Sequence, residues 1–586
     1  MTKKDKTIKI LGWMAVAFSA SAFFLPVMNP DIFWHLSAGK YAVAHLAPPR
    51  FDFLSWPAAG REWVDFEWAS QVIYYLIYLA GGFKALVAFK AAVLVVLLLV
   101  FRRLALLYGR GAALVPALPF LAAALVSSSD LRPENFTLLF FTVTLYCLEK
   151  SRLGGIPRGL APRVKLFLFF AVWINLHAGC FYGLALLGLY AAGEFFAEQL
   201  PFIYGGPAVR PGRSLEYLKL FLLGLAATLL NPYGWKIYSV LANHSRYAGA
   251  LTEYIQEWGA LRLGNPYQWP YALALAGVAA SLVLFLLRRR HSVYPHLACL
   301  LFFAWASAEH ARHIPFFVLT GLAFTLALPW ESLRLPRLPG PACRAAAAGL
   351  LLAVLGYYSS FIWTQYTGRA SFFGASSPNL ARFLKTNAGE LSGLRLYNYW
   401  AWGGWLGWEL APEYKVFVDG RYLFHDKIEE LVEARTGARN WTALIAKYDF
   451  DLMLIALDEP LVPIKQHLSG GREQVFWRPA YLFYLPKKEW AVIYWDYKVA
   501  AVVRRSALSP AWLAAREFKY LRPADIANLV APVLAGDVPL AGLERDLRLY
   551  LGSHPGGSEA LSNTALVDFY KNIRIACAKK GAACRS

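Results

Sequence analysis

Ala91-Ala92-Val93-Leu94-Val95-Val96-Leu97-Leu98-Leu99-Val100-Phe101, closed by Arg102-Arg103, is an apolar run that ends on two charges. With its upstream flank it fills residues 84–106, long enough as a helix to cross roughly 30 Å of hydrocarbon. Comparable segments precede and follow it: a first one ending near Met28, then 112–128, 135–149, 164–177, 179–197, 217–231, 270–287, 293–308, 314–330 and 345–366. The fold class read from this pattern is a polytopic α-helical membrane protein of about eleven spans. The whole chain agrees, with 58% hydrophobic and 17% charged residues among 586 and a mean hydropathy of +0.39. A purely cytosolic enzyme is excluded.

The net charge of +21 comes from 59 basic and 38 acidic residues. Of these, 31 basic and 16 acidic residues precede Tyr366, so most of the excess sits among the spans. Such residues act as topology signals and headgroup contacts, and no nucleic-acid partner is expected. Lys3-Lys4-Asp5-Lys6 before an apolar stretch resembles a signal peptide, but Asn29-Pro30-Asp31-Ile32 follows where a small-residue cleavage site would stand. An uncleaved first span is expected. Lysine and arginine concentrate in every second connection, including Arg102, Arg103, Arg110, Arg152, Arg288, Arg289 and Arg290. That places the N-terminus in the cytoplasm and the tail beyond about Thr367 on the extracytoplasmic side.

Three regions follow: a membrane domain at 1–366 with a large first external loop (29–83), an extracytoplasmic α/β domain at 367–508, and a mainly helical extension at 509–586. In the tail, helical patterns at 378–388, 426–436 and 441–448 alternate with strand-like runs at 415–418, 452–455 and 490–497. Residues 331–344 form a Pro-rich connector. The six cysteines make no framework and lack metal-ligand spacing; Cys577 and Cys584 either pair in an oxidising compartment or stand as two free thiols.

Ionisable groups collect at one face. Pro30 at a helix start puts Asp31 in the first turn and His35 one turn on. Helix capping accounts for such an Asp, and so does a base acting on an acceptor hydroxyl or a ligand to a cation, with His35 as its partner. Asp65 and Glu67 lie among Trp63, Phe66 and Trp68, a setting that suits either membrane anchoring or saccharide binding. Arg132, His177, His310, Arg312 and His313 offer cationic or proton-donating contacts to a phosphate, or pair with nearby acids. In the tail, Trp402 in a Gly-Trp-rich stretch expected to be strand and turn, and Asp419 and Arg421 after an apolar strand, are candidates for a cleft. No phosphate loop, dinucleotide fingerprint, zinc-protease motif or serine-hydrolase elbow is found.

This pattern resembles the GT-C class of integral-membrane glycosyltransferases, which includes protein O-mannosyltransferases, the catalytic subunit of oligosaccharyltransferase and lipid A aminoarabinose transferases. It is most similar to uncharacterised bacterial members, through Asp31 to His35, Trp63 to Trp68, Arg132 to Glu134, Asn175 to His177, Gly403 to Trp405 and Val418 to Arg421. The resemblance spans about residues 1–500. It implies transfer of a sugar from a polyprenyl-phosphate donor to a glycan, lipid or protein acceptor, with inversion, outside the membrane. It further implies Asp31 as base and external Arg and His residues at the leaving phosphate. The oligosaccharyltransferase element Trp-Trp-Asp-Tyr-Gly has no counterpart, since Trp400-Ala401-Trp402-Gly403-Gly404 lacks its Asp. The class leaves the need for a divalent cation open. A lipid-linked saccharide transporter or flippase and a non-catalytic envelope assembly protein are the alternatives from other classes.

Overall fold

The computed structural model describes residues 3–200, 211–286, 294–328, 377–458, 460–468, 472–554 and 560–580, with 356, 357, 360 and 364 between them. The chain divides into two compact units, 1–50 with 63–374, and 51–62 with 375–586.

The first unit is helical. α1 (Lys3–Ser21) is followed by α2 (Asp31–His45), α3 (Trp68–Leu107), α4 (Leu114–Leu125), α5 (Glu134–Gly154), α6 (Leu160–Leu176) and α7 (Cys180–Gln199). Then come α8 (Arg213–Ala227), two short helices α9 (Ile237–Arg246) and α10 (Ala248–Tyr254), α11 (Trp269–Leu286), α12 (Tyr294–Glu309) and α13 (Ile314–Ala327). Among the described residues, Asp5–Phe24, Trp68–Leu107, Gly111–Ser128 and Cys180–Gln199 are long and apolar enough to cross a membrane. The expected segment at 345–366 lies almost wholly outside the described residues, as does the connector at 331–344.

Two prolines set the starts of functional helices. Pro30 precedes α2 and Pro133 precedes α5, each supplying the φ of a first turn where no amide donor is needed. The stretch 68–80, expected as external loop, is helical and joins the 84–106 span through a break at Gly81 and Gly82, where Gly82 adopts φ 60°. α2 packs on this first part of α3 at Gly39, where any Cβ would lie 2.2 Å from the Gln71 carbonyl oxygen. That close approach brings Asp31 and His35 to the start of α3.

α5 carries a second polar cluster at the end opposite to Glu134. Glu149, fully buried, accepts from Tyr108 and Tyr190 hydroxyls and lies 3.0 Å from His296 Nε2 and 3.5 Å from Arg152 Nη1. These residues come from α5, α7, α12 and the end of α3, so one carboxylate ties four helices together.

The second unit holds a four-stranded sheet of order β1-β2-β6-β5: β1 (Leu396–Tyr397), β2 (Leu452–Ala456), β5 (Trp490–Trp495) and β6 (Val499–Arg504). β1 runs parallel to β2 and the other pairings are antiparallel. All of β5 is buried, which matches its apolar composition. β3 (Leu461–Leu468) and β4 (Arg472–Pro479) form a separate hairpin, which the sequence reading did not anticipate. Helices at Pro378–Thr386, Ile428–Ala434 and Ala438–Tyr448 stand where expected, and residues beyond Pro510 are largely helical. Two expectations are corrected. Trp400–Leu410 is a helix rather than strand and turn, because Gly403 lets it lie against the Val418 carbonyl. Residues 415–418 form no regular strand; Val416 makes a single parallel bridge to Ser55 of the 51–62 segment.

Candidate functional site

At the start of α2, the Asn29 side-chain oxygen accepts the Asp31 amide at 2.9 Å, so Asn29 caps that end of the helix. The half-buried Asp31 carboxylate accepts from Trp34 Nε1 at 3.2 Å. One turn on, His35 is buried, with Nδ1 3.8 Å from Glu67 Oε2. Glu67 ends the loop before α3, and its other oxygen lies 3.4 Å from Nε2 of His177, in the turn between α6 and α7. Asp65 plays a local part: its Oδ1 accepts from Gln71 Nε2 at 2.7 Å and from the Glu67 amide, bracing the first turn of α3.

The cationic side is built from the starts of α5 and α13. Arg132 pairs with Glu257, and Arg312 lies 3.6 Å from Glu134. Trp258 touches two polar groups, with the Arg312 guanidinium 4.7 Å from its ring centre and His244 stacked on it at 5.7 Å. His310 Nδ1 bonds the Trp258 carbonyl at 2.7 Å. His313 is a buttress: Nδ1 donates to the Ala306 carbonyl at 2.9 Å, and Nε2 accepts from Tyr182 at 2.7 Å.

These groups share one electrostatic field. Burial, then the nearby Asp65 and Asp31, push Glu67 well above the ordinary carboxylate range, against the pull of Arg312 and Arg132. Burial, then Arg132 and His177, hold His35 well below its ordinary value. Burial, then Arg312 and His244, lower His177 to about 3. Burial works to raise Glu257, yet Arg132 and Arg312 together bring it below its usual value. A buried carboxyl shifted upward thus stands beside the more open Asp31, the kind of pair from which acid and base roles separate. Arg132 and Arg312 now rest on carboxylates and have the planar donor sets that phosphate oxygens fit.

Asp31, His35, Asp65, Glu67, Arg132, His177, His310, Arg312 and His313 all fall within the first unit, around this field. Trp402, Asp419 and Arg421 belong to the second unit. Arg421 is 2% exposed and Asp419 is fully buried. Asp419 receives Arg421 Nε at 2.8 Å and Nη2 at 2.7 Å, and Asp52 lies 2.6 Å from Nη1, so they make an interior ion triad rather than a cleft. Trp402 is half-buried, edge-on to Tyr399. Glu257 belongs to the acidic 253–257 turn that the sequence shows on the same face, whereas Trp258, His244 and Tyr182 carry no such signal. Among the described residues, no group of three or more His, Cys, Asp or Glu side chains is placed to hold a metal ion.

No protein-family model matches the chain, and no curated protein matches it. Solved structures do. The oligosaccharyltransferase AglB from Archaeoglobus fulgidus, in complex with an inhibitory peptide and a dolichol-phosphate, aligns with 100% of this chain and 88% of its own at 12% identity, TM-score 0.54. The same enzyme in its apo form aligns with 86% of this chain and 80% of its own at 13% identity, TM-score 0.53. A form tethered to an acceptor peptide containing the NVT sequon covers 80% and 74% at 12% identity, TM-score 0.51. The chain therefore shares the fold of this oligosaccharyltransferase.

Proposed function

We propose that this membrane protein is a glycosyltransferase that moves a sugar from a polyprenyl-phosphate-linked donor to an acceptor on the extracytoplasmic face, with inversion. The observation that carries this reading is the half-buried Asp31, held at a helix start in the common field of Glu67 and Arg132. In the transfer, an acceptor hydroxyl or amide attacks the anomeric carbon from the side opposite to the phosphate. The new bond to carbon forms as the carbon–oxygen bond to phosphate breaks, and that electron pair leaves on the phosphate oxygen. Asp31 takes the acceptor proton, and Arg132 and Arg312 turn from Glu257 and Glu134 to the growing negative charge. The burial that pushes the Glu67 carboxyl above its ordinary range suits it to the acid side of the pair, leaving the base side to Asp31.

The acceptor is a glycan, a lipid or a protein, and bilayer lipids surround the donor. The lysine and arginine pattern supports a cytoplasmic N-terminus in the bacterial inner membrane and a periplasmic tail.

Purified protein in nanodiscs, given radiolabelled polyprenyl-phosphate sugars, tests the reading. Donor turnover by the wild type and a loss of about 10²- to 10⁴-fold in Asp31→Asn, with unchanged folding, are expected. A folded Asp31→Asn protein that transfers at the wild-type rate refutes the role of Asp31.

A further inference from the structure

His177 is held by a directed chain of hydrogen bonds that begins deep in the helical bundle. Trp173 on α6 and Thr137 on α5 are both fully buried. The Trp173 indole N–H, which only donates, gives its hydrogen to Thr137 Oγ1 at 3.0 Å. Thr137 Oγ1 is in turn 2.8 Å from His177 Nδ1. The backbone N–H of Gly179 also reaches Nδ1, at 3.1 Å. Since an amide N–H can only donate, Nδ1 is an acceptor, Thr137 donates to it, and the ring proton sits on Nε2. That nitrogen faces Glu67 Oε1 at 3.4 Å.

Two glycines make this chain fit. A Cβ on Gly179 would stand 2.4 Å from Thr137 Oγ1 and 2.6 Å from His177 Nδ1. A Cβ on Gly183, one turn along α7, would stand 2.3 Å from the Trp173 ring. Both openings serve the chain of bonds rather than a turn, since neither glycine has the left-handed backbone that demands one.

We propose that Trp173, Thr137 and His177 form a positioning relay that fixes His177 as its Nε2–H tautomer and aims that proton at Glu67, thereby setting the orientation and charge of the carboxyls beside Asp31. The relay deepens the transferase reading and rests on it for its catalytic consequence. The groups that face it are Glu67 with His35, Asp65 and Asp31 behind it, Arg132 and Arg312 from the cationic side, His244 from α9, and Tyr74 from α3. Thr137 and Trp173 are positioning residues, because they act on the site only through His177.

The test has two readouts on the full-length protein in nanodiscs. Nitrogen-15 NMR of histidine-labelled protein, with His177→Gln to assign the signal, reads the tautomer without any turnover. The wild type is expected in the neutral Nε2–H form; Thr137→Val and Trp173→Phe are expected to mix tautomers, and Thr137→Ser to restore the single form. In the transfer assay, Thr137→Val is expected to lower kcat roughly tenfold, leave the donor KM unchanged, and shift the pH profile, with recovery in Thr137→Ser. A His177 that is the Nδ1–H tautomer or doubly protonated at neutral pH overturns the relay. So does a Thr137→Val protein matching the wild type in both tautomer and pH profile. An Nε2–H signal that responds to Thr137→Val in a protein that transfers no sugar upholds the relay and removes the transferase reading instead.

Discussion

Replacing Asp52 with alanine strips the buried Arg421 of one of its two carboxylates. Arg421 Nη1 lies 2.6 Å from Asp52 Oδ1, inside a unit where Arg421 is 2% and Asp52 4% exposed. Asp52 also accepts the amides of Leu54 at 3.2 Å and Ser55 at 3.1 Å, and the Ser55 hydroxyl. Deleting one partner of a buried pair leaves an incompletely compensated charge, which costs about 3–5 kcal/mol. For a unit of this size each kcal/mol lowers the midpoint by roughly 2–4 °C, so a fall of roughly 6–20 °C is expected. Thermal unfolding of the purified full-length protein in detergent measures it, and hydrogen exchange over 51–62 and 416–424 locates it. Combining Asp52→Ala with Arg421→Met removes the orphaned charge together with its partner, so the double variant should lose less than the two single losses added. A midpoint within 2 °C of wild type and unchanged exchange in Asp52→Ala would refute the view that the triad is interior structure.

Glu149→Ala should destabilise the helical unit by about 3–5 kcal/mol, seen as early aggregation on heating in detergent, because Tyr108, Tyr190, His296 and Arg152 lose their common acceptor. Gly403→Ala should abolish folding of the second unit, its Cβ falling 1.8 Å from the Val418 oxygen, whereas Gly389→Ala, which meets nothing within 4 Å, should be harmless; limited proteolysis separates the two. Burial first, then Arg312 and His310, lower His313 from 6.5 to about 4 against the pull of its bond to Ala306. Between those values the unfolded chain binds the proton and the folded one does not, so stability falls as pH drops through that window. His313→Gln should lose part of that acid sensitivity in melting curves taken from pH 7 to 4.

Local signals made much of the helical unit readable. Pro30 announces a helix start because its φ is already set, and it puts Asp31 in a first turn; Pro133 does the same for Glu134, which reads from sequence only as part of a turn. Apolar length pointed to the long helices of this unit. The site's acids and bases were visible as a group because charge at span ends is costly and so stands out. Pairings across the chain were not readable. Asp419-Gly420-Arg421 looked like the rim of a cleft because Asp52, which turns it inward, lies in the first loop. The tryptophans of 400–410 suggested a strand by their β preference, yet helix packing over Gly403 overrides that preference. Arg152 reads as a topology signal and Glu149 carries no signal, since nothing in their own segment names Tyr108, Tyr190 or His296. Gln71, Thr137 and Trp173 had no local signal at all; each matters through a hydrogen bond to a different helix or turn.

The second unit is encoded in two separate places. Trp56 donates to the Leu396 carbonyl, 340 residues further along, and Asp52 waits for Arg421. On the ribosome the early piece leaves long before its partners exist, and every intervening membrane segment must be inserted while it stays unpaired. Completion of this unit is therefore a check that synthesis has passed Arg421. A chain truncated earlier leaves Trp56 and the Asp52 carboxylate without these partners, and a fragment begun at residue 375 lacks the piece that supplies them.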